Sequence, residues 1–146
     1  MPQQKVRFEQ FFAAPRARVF AYFADHESFG RIWPGRFRRT QVSADPANPN
    51  GLGSVREIRS AGLTFEETIT AFESPSRIEY QITQGGPIKN HRGTLLFTEV
   101  PGGTQLEYTI VFDPKLPLTG GLIASILCAS WHRGVQRAID DLSRGE

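Results

Sequence analysis

The chain holds a single cysteine, Cys128, among its 146 residues, and neither a CxxC pair nor a Cys/His zinc spacing occurs. An intramolecular disulfide is therefore excluded, and a reducing compartment is the expectation. Long apolar runs are also missing. The uncharged stretch 116–131 is shorter than the ~20 residues a membrane span needs and contains Pro117, Thr119, Gly120 and Gly121, so no stable membrane insertion is expected. The first nine residues lack the 7–15 residue apolar core of a secretory signal. Cytoplasmic location follows as the expectation. Neither sign of charge prevails: 17 basic residues face 15 acidic ones for a formal charge of +2, a balance too even to imply nucleic acid. The densest basic group, Arg31, Arg36, Arg38 and Arg39, reads as a solvated loop and strand edge.

What the chain does have is apolar periodicity throughout. Its length fits one domain, expected over 1–146, that can bury roughly 68–70% of its unfolded surface. Val6, Phe8 and Phe12 share one parity in a strand over 5–12. Pro15 suits the first turn of a helix, carried on by Val19, Phe20 and Phe23 and ending near Asp25. A second short helix, about 26–32, is closed by Trp33-Pro34, because the residue before proline is pushed out of helical geometry. From 37 to 112 the period is two, cut by Pro49-Asn50-Gly51, Ala61-Gly62, Ser74-Pro75-Ser76, Gly85-Gly86-Pro87 and Pro101-Gly102-Gly103 into six hairpin-linked strands. After Pro117 the period returns to 3.6. Leu122, Ile123, Ile126, Leu127, Trp131, Gly134, Val135, Ala138, Ile139 and Leu142 form an apolar stripe on a helix of ~36 Å.

With these elements on one chain, several short motifs appear in order: Ala14-Pro15 with Val19-Phe20 and Asp25, Trp33-Pro34, Gly51-x-Gly53-x-x-Arg56, Glu67-x-Ile69 running into Ser74-Pro75-Ser76-Arg77-Ile78-x-Tyr80, and Gly102-Gly103-Thr104. In these the chain resembles the START-like, Bet v 1-like (SRPBCC) superfamily, most closely its bacterial polyketide cyclase/dehydrase and lipid-transport branch. The resemblance implies an α+β helix-grip fold: a seven-stranded antiparallel sheet curled around the C-terminal helix, two short helices after the first strand, and an apolar cavity between sheet and helix. Members include carriers of hydrophobic ligands, aromatic polyketide cyclases and proteins that act through a partner, so fold alone does not choose a function.

Strand parity nominates the cavity wall. A two-residue turn at Ala61-Gly62 sets Ser60 against Leu63, Ile58 against Phe65, Arg56 against Glu67 and Ser54 against Ile69, with the apolar members facing inward. A loop over 73–76 extends this face through Ala71 opposite Ile78 and Ile69 opposite Tyr80. His91, Gly93, Leu95 and Phe97, then Leu106, Tyr108, Ile110 and Phe112, continue it, and empty volume is expected near Tyr80, Ile110 and Trp131. The candidate ligand-binding set is Trp33, Arg56, Phe65, Glu67, Tyr80, His91, Leu95, Tyr108, Ile110, Leu127 and Trp131. Glu67, Tyr80 and His91 are the candidate proton-transfer groups.

Each has a plainer reading. Arg56 with Glu67 is a compensated structural pair, Tyr80 and Tyr108 are core tyrosines, and His91, near a strand start, is exposed. Cys128 reads as a buried inert thiol, and His26, His91 and His132 show no metal spacing. The leading expectation is a binder or carrier of a hydrophobic or amphipathic molecule, such as a lipid, quinone or aromatic polyketide-like compound, with neither metal nor cofactor. The alternatives are a cyclase or dehydratase using the cavity's polar groups, and a protein-interaction module without a ligand.

Overall fold

The computed structural model describes residues 3–144; residues 1, 2, 145 and 146, the ends of the expected domain, lie outside the described residues. The order is β1 (Gln4–Phe12), α1 (Arg16–Ala24), α2 (His26–Ile32), β2 (Arg36–Gln41), β3 (Val55–Ser60), β4 (Leu63–Glu73), β5 (Arg77–Gly85), β6 (Ile88–Val100), β7 (Gly103–Pro114) and α3 (Gly120–Ser143). The strands form one antiparallel sheet in the order β1-β7-β6-β5-β4-β3-β2. Since β1 and β2 are its two edges, α1 and α2 must carry the chain from one edge to the other. They close one end of the curled sheet.

Local chemistry explains that crossing. Pro15 stands just before α1 with extended geometry, and its carbonyl accepts the amides of Arg18 and Val19, each at 3.0 Å. The proline is thus the cap residue and not, as expected, within the first turn. Asp25 ends α1 and caps α2, its carboxylate accepting the Ser28 amide at 3.0 Å and the Ser28 hydroxyl at 2.9 Å. Trp33, extended ahead of Pro34, ends α2.

The β3–β4 hairpin has the expected register because both turn residues take positive φ, Ala61 at 52° and Gly62 at 79°, as a tight two-residue turn requires. The next register differs from expectation in part. A bulge between Ile69 and Ala71 leaves Ile69 opposite Tyr80 but sets Ala71 against Glu79 and Phe72 against Ile78, so the expected Ala71–Ile78 pair does not form. The shift lets the Phe72 ring meet Phe20 edge-on at 5.2 Å. A second irregularity lies between Lys89 and Arg92, where Asn90 has φ 50°. It lets Ile88 and His91 both be buried; His91 thus lies inward as strand parity placed it, and its plainer reading as exposed does not hold.

Helix α3, with 24 residues, has the expected length. It is seated by its C-terminal half. Gly134 lies against the backbone of Ile32, where a Cβ would stand 1.9 Å from the Ile32 carbonyl oxygen, and Arg137 donates to the Arg31 carbonyl at 2.8 Å. Trp131 stacks on Phe8 with centroids 4.9 Å apart. Asp141 joins this end to both small helices, accepting from Tyr22 at 2.6 Å and from Arg31 Nε at 2.8 Å. The N-terminal half is different: Leu122 and Ile126, expected on the buried stripe, are 64% and 55% exposed, while Ile123, Leu127 and Cys128 are half-buried. That half spans an opening in place of packing onto the sheet.

Candidate functional site

Beneath the first half of α3 lies a cavity of about 300 Å³, at the lower end of the ~300–1,000 Å³ range of small-molecule sites. Its base is made by Phe29 and Trp33 of the α2 region with Phe37 of β2. One wall is Ile58, Phe65 and Glu67 of β3 and β4; the other is Tyr80, Ile82, Ile88, His91 and Ile110 of β5 to β7. Ile123, Ile126, Leu127 and Ser130 of α3 form the roof, and Pro34, Ser60, Ala61, Leu63 and Pro87 complete the lining. Leu63 and Ile126, 46% and 55% exposed, mark where it reaches solvent.

A buried ion pair stands in the wall. Arg56 and Glu67 face each other across β3 and β4, with Nε and one terminal nitrogen of the guanidinium on Oε1 of Glu67 at 2.8 and 2.7 Å. The guanidinium also lies over the rings of Phe29 and Tyr80, 4.5 and 5.1 Å from their centroids, so its face is matched to π-electron density. Its third nitrogen is 3.4 Å from His26 Nδ1. Burial pushes the Glu67 carboxyl above its ordinary value, and Arg56 opposes that push. Arg56 itself sits behind the wall and does not line the cavity.

Two buried tyrosines and a histidine complete the polar set. The hydroxyls of Tyr80 and Tyr108 are hydrogen-bonded to each other, and burial raises both phenols above their ordinary range. The Ile82 amide donates to His91 Nδ1 at 2.9 Å. Burial, aided by the charge of Arg56, lowers His91 to about 4, so near neutrality the ring is uncharged with its proton on Nε2.

Residues 3–144 match the family described as polyketide cyclase / dehydrase and lipid transport. The chain belongs to this family. Among solved structures, a START superfamily protein from Mycobacterium smegmatis superposes with a TM-score of 0.77 at 12% identity, covering 97% of this chain and 99% of that one. The di-domain ARO/CYC protein StfQ of the steffimycin biosynthetic pathway reaches 0.78 at 14% identity, over 97% of this chain and 52% of its own. Norcoclaurine synthase from Thalictrum flavum, a point mutant in complex with a transition-state analogue, reaches 0.69 at 11% identity over 96% of each chain. At such identities the likeness shows the helix-grip fold alone. No curated protein sequence matches the chain.

Within this family member, the nominated residues divide into two groups. Trp33, Phe65, Glu67, Tyr80, His91, Ile110 and Leu127 line the cavity, whereas Arg56, Leu95, Tyr108 and Trp131 do not. Leu95 and Trp131 are core, and the empty volume near Trp131 is filled by Phe8 and Tyr108, 4.9 and 5.3 Å from it. Tyr108 is the layer beneath Tyr80. Phe29, expected with Ile32 and Trp33 at the base or mouth of the cavity, lines it as Trp33 does, and Ile32 does not; sequence parity passed over Phe37, Ile82, Ile88 and Ile123. Ile123 stood on the apolar stripe of α3, but which part of the stripe meets the sheet and which part spans a void is decided by packing. No cluster of three or more His, Cys, Asp or Glu side chains among the described residues could hold a metal ion, and no helix among them is long and apolar enough to cross a membrane.

Proposed function

We propose that this protein binds, and carries or presents, a hydrophobic or amphipathic small molecule in the cavity beneath α3, of the class that includes lipids, quinones and aromatic polyketide-like compounds. The observation that carries the reading is a volume of about 300 Å³ with predominantly apolar walls and an opening at Leu63 and Ile126. Burying ligand surface there contributes roughly 25 cal/mol per Å² before ordering costs. Proton-transfer catalysis is less well supported. Glu67 is held by Arg56, His91 has its only lone pair engaged by the Ile82 amide, and Tyr80 is pushed away from ionisation. An interaction module with a collapsed interior fits less well too, since Phe65 borders open volume.

Titration with the neutral fluorophore N-phenyl-1-naphthylamine tests the reading. Saturable one-to-one binding is expected, and solvent extraction with native mass spectrometry should recover a co-purified apolar compound from freshly isolated protein. An absence of saturable binding by this probe, with nothing extracted, overturns it.

A further inference from the structure

Besides the buried Nε1–H of Trp33, which has no hydrogen-bond partner among the described residues, two side chains of the cavity wall each keep one hydrogen-bonding atom uncommitted, and the two atoms are of opposite kind. Arg56 directs both of its bonds to Oε1 of Glu67; among the described residues Oε2 has no hydrogen-bond partner. With the buried guanidinium needing a counter-charge, Glu67 is a carboxylate and Oε2 only accepts. His91 is the converse. Its Nδ1 accepts the Ile82 amide at 2.9 Å, which leaves the ring proton on Nε2, and among the described residues that N–H has no partner. Both side chains are deeply buried, each residue 6% exposed, and both border the cavity.

The sheet sets their separation. Glu67 on β4 faces Ile82 on β5, and the Ile82 amide holds His91 on β6. Two strand spacings place their backbones roughly 9.5 Å apart. Between them the wall is apolar, with Tyr80 spending its hydroxyl on Tyr108. No lysine or arginine among the described residues lines the cavity, and Arg56 lies behind Glu67. An anionic group entering it would be desolvated beside a carboxylate, which opposes binding.

We infer that the cavity selects a neutral, mostly apolar molecule with an O–H or N–H donor for Glu67 Oε2 at one end and a carbonyl-type acceptor for His91 Nε2 toward the other, and that it rejects fatty-acid-like anions. The inference rests on the reading of the cavity as a small-molecule site, and it narrows the ligand class to neutral hydroxy-carbonyl compounds.

Four probes of one naphthalene skeleton test it by fluorescence titration of the wild-type protein: 6-acetyl-2-naphthol with donor and acceptor, 2-naphthol with the donor, 2-acetylnaphthalene with the acceptor, and the anion 6-hydroxy-2-naphthoate. The first should bind about tenfold more tightly than either single-function probe, and the anion at least about tenfold more weakly than the first. In His91→Phe the preference for 6-acetyl-2-naphthol over 2-naphthol should vanish while that over 2-acetylnaphthalene remains. The wild-type series stands alone if that variant does not fold. Affinities within twofold across the four, or tightest binding by the naphthoate, overturn the inference and leave the small-molecule site intact. Saturable binding by none of the four overturns both.

Discussion

The Tyr80 ring lies on Gly93, its partner across β5 and β6: a Cβ on Gly93 would stand 2.3 Å from Tyr80 Cζ and 2.6 Å from the hydroxyl oxygen. No side chain larger than hydrogen fits beneath that ring. The missing Cβ lets Tyr80 lie low enough to reach the Tyr108 hydroxyl while still bordering the cavity. Gly93→Ala should displace the ring, break the tyrosine pair and cost about 2–3 kcal/mol, since overpacking and a lost buried hydrogen bond act together. Urea denaturation measures the loss. In a Tyr80→Ala background the same substitution should cost much less, and equal costs in both backgrounds would refute the coupling.

The Arg56–Glu67 pair lends itself to a double-mutant cycle. Glu67→Gln leaves a buried guanidinium without its counter-charge and should destabilise by about 3–5 kcal/mol, whereas Arg56→Met combined with Glu67→Leu should restore most of that loss. Additive destabilisation would show that the two charges are solvated independently.

Stability should fall as the solution is acidified through the range where free histidine titrates. Burial, reinforced by Arg56, lowers His26 and His91 to about 4, below the ordinary 6.5. Arg39 adds to the lowering of His26, and Asp25 opposes it. Between these values the unfolded chain binds protons that the folded protein refuses, so stability is complete above about pH 6.5 and declines toward pH 4. Unfolding free energies from urea titrations at pH 7.5, 6.0 and 4.5 should decrease in step, by a few kcal/mol in all, with the midpoints falling alongside, and His91→Asn should flatten part of the slope. An unchanged midpoint at pH 4.5 would contradict the buried neutral state of both rings.

Filling the cavity should separate binding from folding. Leu127 is half-buried in the roof, so Leu127→Trp can direct its ring into existing volume and displace little packed structure. N-phenyl-1-naphthylamine affinity is expected to drop at least about tenfold, with stability within about 1.5 kcal/mol of wild type. Undiminished binding would place the probe elsewhere.

The amino-acid order was informative wherever a local rule decides geometry. Positive φ at Ala61 and Gly62 gave the hairpin one register, and that register placed Arg56 opposite Glu67. Asp25 and Pro34 marked the ends of the short helices because capping and the pre-proline restriction are local effects. Strand parity, with period two, identified most of the inward face. It erred at the bulge after Ile69, because one extra residue reverses which neighbours face the core: Ala71 lost its place opposite Ile78 to Phe72, whereas His91 lies on the inward face where parity put it.

Local pattern thus determined the element order, the hairpin and the alternation of the sheet, all set by backbone sterics and short-range hydrogen bonds. Tertiary packing alone decided where space was left. The apolar stripe of α3 is continuous along the chain, yet its second half is driven home by Gly134 against Ile32 and Trp131 against Phe8, while its first half stands over the cavity. Burial is a property of the assembled surfaces, so Arg56 could be paired from the sequence but not placed behind the wall, and Trp131 could be called inward but not assigned to core or cavity.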